Sequence, residues 1–132
     1  MSLILVVDDQ EDLRLLLCTL LEEAGYETIS AADGADAIAL AQQHRPDLIT
    51  LDIAMPTMDG YQTFEVLKAD EATESIPVIM ITAHGMTHDR ARAMSLGARD
   101  FITKPYEPDE VALRVGWDSK TTEVGERLEP KN

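Results

Sequence analysis

Short apolar runs of four or five residues alternate along this chain with longer stretches of helical periodicity, the pattern of repeated βαβ units around a mostly parallel sheet. The ends of these runs are chemically loaded. Leu3 to Val7 ends in Asp8-Asp9, Leu48 to Leu51 in Asp52, Val78 to Ile81 in Thr82-Ala83, and Phe101 to Thr103 in Lys104-Pro105. Parallel sheets place ligands just beyond the carboxyl ends of their strands. These four ends therefore bring three acids, a hydroxyl and an ammonium toward one pocket, a set able to handle a phosphoryl group and a divalent metal. The remaining run, Glu27 to Ser30, ends without a reactive group, which fits an edge strand away from the site.

The intervening stretches read as helices. From Glu11 to Ala24, Leu13, Leu16, Leu17, Leu20, Leu21 and Ala24 share one stripe, and Gly25 is the stop. Asp33 caps a second helix with Ala37, Ile38 and Ala41 facing inward, closed off by Pro46. Gly60 opens a third, with Tyr61, Phe64 and Leu67 at helical spacing, and the polar segment Ala69 to Ser75 reads as a surface loop. A fourth runs from about Met86 to Leu96 and stops at Gly97. The fifth carries Pro108 in its first turn, with Val111, Ala112 and Val115 inward. After Val115 the pattern fails at Gly116, Trp117 and Asp118, so the expected division is a domain over 1–117 and a disordered polar C-terminal tail or linker remnant over 118–132.

Composition narrows the function classes. At 132 residues and 45% hydrophobic content the chain suits one domain with a real core. With 25 acidic against 11 basic residues, the net charge of -14 repels nucleic-acid backbones and anionic lipid, so neither nucleic acid nor membrane is an expected direct partner. Cys18 is the sole cysteine, which rules out an intrachain disulfide and reads as a buried structural thiol in a cytoplasmic protein. His44, His84 and His88 form no ligand set with a cysteine, which argues against zinc.

The ordered motifs resemble the receiver domain of two-component response regulators. They are Val6-Val7-Asp8-Asp9, Asp52 followed by Met55-Pro56 and Asp59-Gly60, Thr82-Ala83, Leu96-Gly97-Ala98 leading to Phe101, and Lys104-Pro105. The resemblance covers about Leu3 to Val115. It implies a flavodoxin-like, doubly wound α/β fold with five parallel strands in the order 2-1-3-4-5 and five helices; a member of the family is a standard example of that order. It also implies a phosphoacceptor at Asp52, fed by a sensor histidine kinase or phosphotransfer protein. Mg2+ would be held by Asp8, Asp9, Asp52 and the backbone carbonyl of Ala54. Thr82, Ala83 and Lys104 would bind the phosphoryl group, Thr82 and Phe101 would act as the switch, and the Lys104-Pro105 bond would be cis. The face made by the fourth helix, fifth strand and fifth helix would then meet a partner or a second copy, for which Arg90, Arg92, Arg99, Asp100 and Arg114 are candidates.

The chemistry stands without the resemblance. Close carboxylates repel by about one to several kcal/mol per pair, depending on the effective dielectric, and a hard cation with octahedral oxygen ligands relieves this. A carboxylate is an established nucleophile, while phosphoryl transfer needs positioning and neutralisation of the transferred oxygens. Taken singly, Asp8-Asp9 reads as a helix cap, Asp52 and Thr82 as turn residues, Lys104 as a solvated lysine and Phe101 as plain core. Together they read as one site. A haloacid dehalogenase-like phosphatase shares the aspartate nucleophile, but it needs a second acid at the position of Ala54. A degenerate receiver that only binds proteins is disfavoured by the filled key positions. Ala54 and His84 occupy the positions that in the family tune loss of the phosphoryl group, and Ala54 offers no polar atom to hold a water, so a persistent phosphoryl state with slow self-hydrolysis is expected rather than enzymatic turnover.

Overall fold

A computed structural model describes residues 2–53, 60–82, 87–104, 106, 107 and 109–116, with residues 82 and 87–90 described through their backbone. The expectations at Ala54, Met55-Pro56, Asp59, Ala83, His84, Met86, Pro105, Pro108 and the tail 118–132 lie outside the described residues. Strands β1 (Leu3–Val7), β2 (Glu27–Ala31), β3 (Leu48–Asp52), β4 (Val78–Thr82) and β5 (Asp100–Thr103) form a parallel sheet in the order β2-β1-β3-β4-β5. Between them run α1 (Glu11–Glu23), α2 (Gly34–His44), α3 (Gly60–Ala69) and α4 (Thr87–Ser95). A further helical segment, α5, covers residues 109–116. β2 is an edge strand, as its plain ending implied, and β5 is the other edge although it runs into Lys104.

Two apolar layers sandwich the sheet. On one face Leu17 and Leu21 of α1 and Val111 and Val115 of α5 pack on Ile4, Val6, Leu48, Ile79, Ile81 and Ile102. On the other, Ala37 and Ala41 of α2, Tyr61, Phe64 and Leu67 of α3, and Ala93 of α4 pack on Leu5, Val7, Ile49, Leu51, Met80 and Phe101. Helices on both faces explain why β3 is buried at every position and reads as a continuous apolar run rather than an alternation.

Local signals mostly behave as their chemistry requires. Asp33 caps α2, its carboxylate accepting from Asp36 N at 2.8 Å. Gly25 and Gly97 take φ of +103° and +105°, a region glycine enters without a Cβ penalty. Gly60 is required by crowding: a Cβ there would run into the Ile53 backbone and come within 2.8 Å of the Asp52 carbonyl oxygen. α2 ends at Arg45, itself left-handed at φ 48°, immediately before Pro46.

Four expectations need correction. Leu16 is 43% exposed and Ala24, the C-cap of α1, is also exposed. The buried face of that helix turns toward Arg14, Leu17, Cys18 and Leu21, so of the expected stripe Leu17 and Leu21 are buried, Leu13 and Leu20 are half-buried, Leu16 drops out and Ala24 lies past the last turn. Cys18 is half-buried rather than buried, and that burial pushes its thiol up despite a hydrogen bond with Thr28. The loop after α3 is not wholly superficial, because Thr73 is buried and its hydroxyl donates to the Leu67 carbonyl at 2.6 Å. Gly116 still belongs to α5.

Candidate metal and phosphoryl site

Side chains alternate along a strand, and this alternation builds the site. Ile4 and Val6 face the α1/α5 layer, so Asp8 follows them two residues on; Leu48 precedes Thr50 and Asp52 in the same way, and Ile102 precedes Lys104. Val7 pairs with Leu51 and Asp52 with Ile81, which sets the ends of β1, β3 and β4 side by side at the usual strand spacing of about 4.8 Å. Asp8 and Asp52 are buried at 2% and 3% exposure, and Asp9 is exposed. One carboxylate oxygen from each of Asp8, Asp9 and Asp52 lies within 4.8 Å of the others.

Lys104 closes this cluster from β5. Its Nζ stands 3.4 Å from Asp52 Oδ2 and 3.5 Å from Asp8 Oδ2, with its side chain 14% exposed. It also reaches Gln10 Oε1 at 3.4 Å. An ammonium between two nearly buried carboxylates offsets a repulsion that the low local dielectric would otherwise magnify.

The cap reading of Asp8 coexists with the site. Gln10 is the N-cap of α1 and makes no side-chain capping bond; instead its backbone N–H donates to Asp8 Oδ1 at 2.9 Å. Arg14 donates to the Asp8 carbonyl at 2.8 Å. One carboxylate oxygen of Asp8 is thus anchored to the helix start, and the other faces Lys104.

Of the remaining residues singled out in the sequence, Thr82 pairs with Thr103 in the register, one residue beyond the partner of Asp52, so its backbone adjoins the site. Phe101 is 2% exposed within the α2/α3/α4 layer. Arg92 is exposed yet engaged within the chain, its guanidinium 3.9 Å from the Tyr61 ring centroid. Arg114 pairs with Asp100 at 2.6 Å and with Glu110 at 3.3 Å. Among the described residues the three aspartates are the one cluster with metal-ligand spacing.

Tyr106 was missed. It packs against the α1/α5 layer, its hydroxyl is buried without a hydrogen-bond partner, and its phenol is pushed up to about 12 by burial and then by the charges of Asp8 and Asp52. No sequence signal marks it, since an aromatic after Lys-Pro reads as ordinary packing.

With this geometry in hand, relatives are informative. The sequence model of the response regulator receiver domain matches residues 4–116. The chain is 42% identical over 112 residues to the probable transcriptional regulator ycf27 of Cyanophora paradoxa, covering 85% of this chain and 46% of that protein. It is 42% identical over 115 residues to the DNA-binding dual master transcriptional regulator RpaA of Synechocystis, covering 87% of this chain and 48% of that one. The chain therefore spans about half the length of these curated relatives. Among solved structures, the receiver domain of Francisella response regulator 1452 superposes with a TM-score of 0.86 at 31% identity, covering 92% of this chain and 99% of that one. The signal receiver domain of a signal transduction histidine kinase from Syntrophus aciditrophicus gives 0.82 at 35% identity, covering 100% of this chain and 98% of that one.

Proposed function

Because the chain belongs to the response regulator receiver domain family, we propose that it is a phosphoacceptor of a two-component phosphorelay, with Asp52 as the residue that receives the phosphoryl group. The observation that carries this reading is Lys104 Nζ lying 3.4 Å from Asp52 Oδ2 and 3.5 Å from Asp8 Oδ2, beside a third acid. In the transfer, an Asp52 oxygen attacks the phosphorus of a phosphohistidine on a sensor kinase or phosphotransfer protein. The O–P bond forms as the P–N bond breaks, and the imidazole leaves with that electron pair and takes a proton from solvent. Lys104 follows the charge onto the phosphoryl oxygens, and the Thr82 hydroxyl and the backbone at Ala83 complete their contacts.

The donor set fits magnesium: hard carboxylate oxygens at mutual distances that one small cation spans. Asp8, Asp9, Asp52 and the Ala54 carbonyl would hold it. When bound, Mg2+ supplies positive charge against both the carboxylates and the incoming phosphoryl oxygens. Output follows through Thr82 and Phe101 to the α4-β5-α5 face, which meets a partner or a second copy. On this reading residues 1–117 are the working unit in the cytoplasm, residues 118–132 are a tail or a linker remnant, and the chemistry is signalling rather than turnover of an external substrate.

The test is chemical. Acetyl phosphate with magnesium adds one phosphoryl group to the wild type by intact mass, and Asp52→Asn abolishes the addition. Equal labelling of the variant would move the acceptor elsewhere.

A further inference from the structure

Gln10 sets aside the local rule for helix starts. It is the N-cap of α1, a place where Ser, Thr, Asp or Asn is preferred because a short side chain accepts from the first free N–H groups. Gln10 makes no such bond. Its side chain leaves the helix, and its Oε1 stands 3.4 Å from Lys104 Nζ, a residue 94 positions away. Its backbone N–H donates to Asp8 Oδ1 at 2.9 Å, which fixes the residue at the rim of the acidic cluster. Residues that break a local preference in this way tend to serve a site.

Lys104 gives the contact its meaning. An ammonium carries three donors and no acceptor. Among the described residues it meets Asp52 Oδ2 at 3.4 Å, Asp8 Oδ2 at 3.5 Å and Gln10 Oε1 at 3.4 Å. The first two belong to the aspartates whose carboxylates are spaced to hold a cation; the third is neutral and on an exposed residue. Once Asp8 and Asp52 turn to a cation, the ammonium loses those two acceptors and faces a like charge. A lysine released to solvent would have to be ordered again for the phosphoryl oxygens, at the cost of its rotamer freedom. The Gln10 oxygen offers it a charge-assisted bond at the rim instead.

We propose that Gln10 is a positioning residue acting through Lys104: its side-chain oxygen keeps the ammonium beside the pocket when Asp8 and Asp52 engage the cation, ready for the phosphoryl oxygens on Asp52. The proposal rests on the phosphoacceptor reading. Neutrality is part of the device, because an amide oxygen holds the lysine without outcompeting the anionic phosphoryl oxygens that it must later meet.

Gln10→Met tests this, since it has nearly the length of glutamine, lacks the carbonyl oxygen and leaves the backbone N–H on Asp8. Calorimetric titration with magnesium chloride alone compares wild type, Gln10→Met, Lys104→Met and the double variant. Gln10→Met binds magnesium about threefold more weakly than wild type, yet has no effect when added to Lys104→Met, the coupling that a double-mutant cycle isolates. At saturating magnesium its affinity for beryllium fluoride, standing in for the phosphoryl group, falls about fivefold, the scale of one lost hydrogen bond. Its melting temperature without additions stays within about 2 °C of wild type, because the side chain is exposed and caps nothing. A larger drop would give Gln10 a structural role, and an equal loss of magnesium affinity in the Lys104→Met background would make it a direct metal ligand; either result overturns the proposal. So does a Gln10→Met that matches wild type in either affinity. Intact mass after acetyl phosphate treatment separates the two readings: a wild type that takes no phosphoryl group on Asp52 refutes the phosphoacceptor reading, whereas a labelled wild type matched by Gln10→Met in both affinities refutes the role of Gln10 alone.

Discussion

Lys104 carries the resting charge balance of the site, and the size of that effect is open to measurement. Breaking a nearly buried ion pair by removing one partner costs about 3–5 kcal/mol when the remaining charge stays sealed from water. Here the lysine side chain is 14% exposed and Asp9 is open to solvent, so water reaches the cluster and the cost is smaller. Lys104→Met is expected to lose about 1–3 kcal/mol in urea denaturation without metal. Millimolar magnesium should raise its midpoint more than it raises wild type, because the cation no longer displaces an ammonium; an equal rise in both would place the metal away from Lys104. Position 54 makes a second residue-scale prediction. Alanine there has no polar atom to orient a water, and general-base assistance is worth about 10²–10⁴-fold where it operates. The phosphorylated protein should persist well beyond seconds in magnesium, and Ala54→Asn should shorten its lifetime; a variant that decays no faster would mean water is held by other groups.

Among the described residues, α4 has little apolar grip on the sheet. Its sequence, Thr-His-Asp-Arg-Ala-Arg-Ala-Met-Ser, contributes Ala93 to the core, while Met94 is 43% exposed. The Arg92 guanidinium on the Tyr61 ring at 3.9 Å supplies a second attachment, in a range of about 0.5–2 kcal/mol for such contacts. Tyr61 follows Gly60, whose N–H donates to the Ile53 carbonyl at 3.1 Å directly after Asp52, so the ring that seats α4 is tied to the end of β3. Tyr61→Leu should raise amide exchange in α4 by several-fold while Tyr61→Phe leaves it near wild type; equal exchange in both variants would mean the ring face contributes nothing. The elements themselves were legible because their signals are local. The inward positions of α2, α3 and α5 follow from spacing, and the Asp33 cap follows from residue type. The rotation of α1 was not legible: a leucine-rich helix shows several plausible stripes, and the sheet selects one by where Leu17 and Leu21 meet Ile4 and Val6. Thr73 was hidden likewise, because a polar residue in a polar segment gives no sign that its hydroxyl will cap the end of α3.

For the whole molecule, the net charge of -14 and the gathering of Asp8, Asp9 and Asp52 at the carboxyl ends of β1 and β3 lead to the expectation that stability responds to cations. A ligand that binds only the folded state stabilises by RT ln(1 + [L]/Kd), about 2.7 kcal/mol at a hundredfold excess over Kd. Magnesium should therefore raise the melting temperature at constant ionic strength, and Asp8→Asn should blunt that rise; sodium giving the same increase at matched ionic strength would mean simple screening. No described helix is long and apolar enough to cross a membrane. The sequence by itself determined the alternation of strands and helices, the loaded strand ends and, through motif order, the family, because a βαβ chain with right-handed crossovers has few ways to fold and each of these signals lies within a few residues. Tertiary structure alone decided that Lys104 bridges Asp8 and Asp52, that Arg92 lies on Tyr61 and that the Tyr106 hydroxyl is buried without a hydrogen-bond partner. Those contacts join residues dozens of positions apart, and their geometry depends on how helices seat on a twisted sheet, which no local spacing encodes.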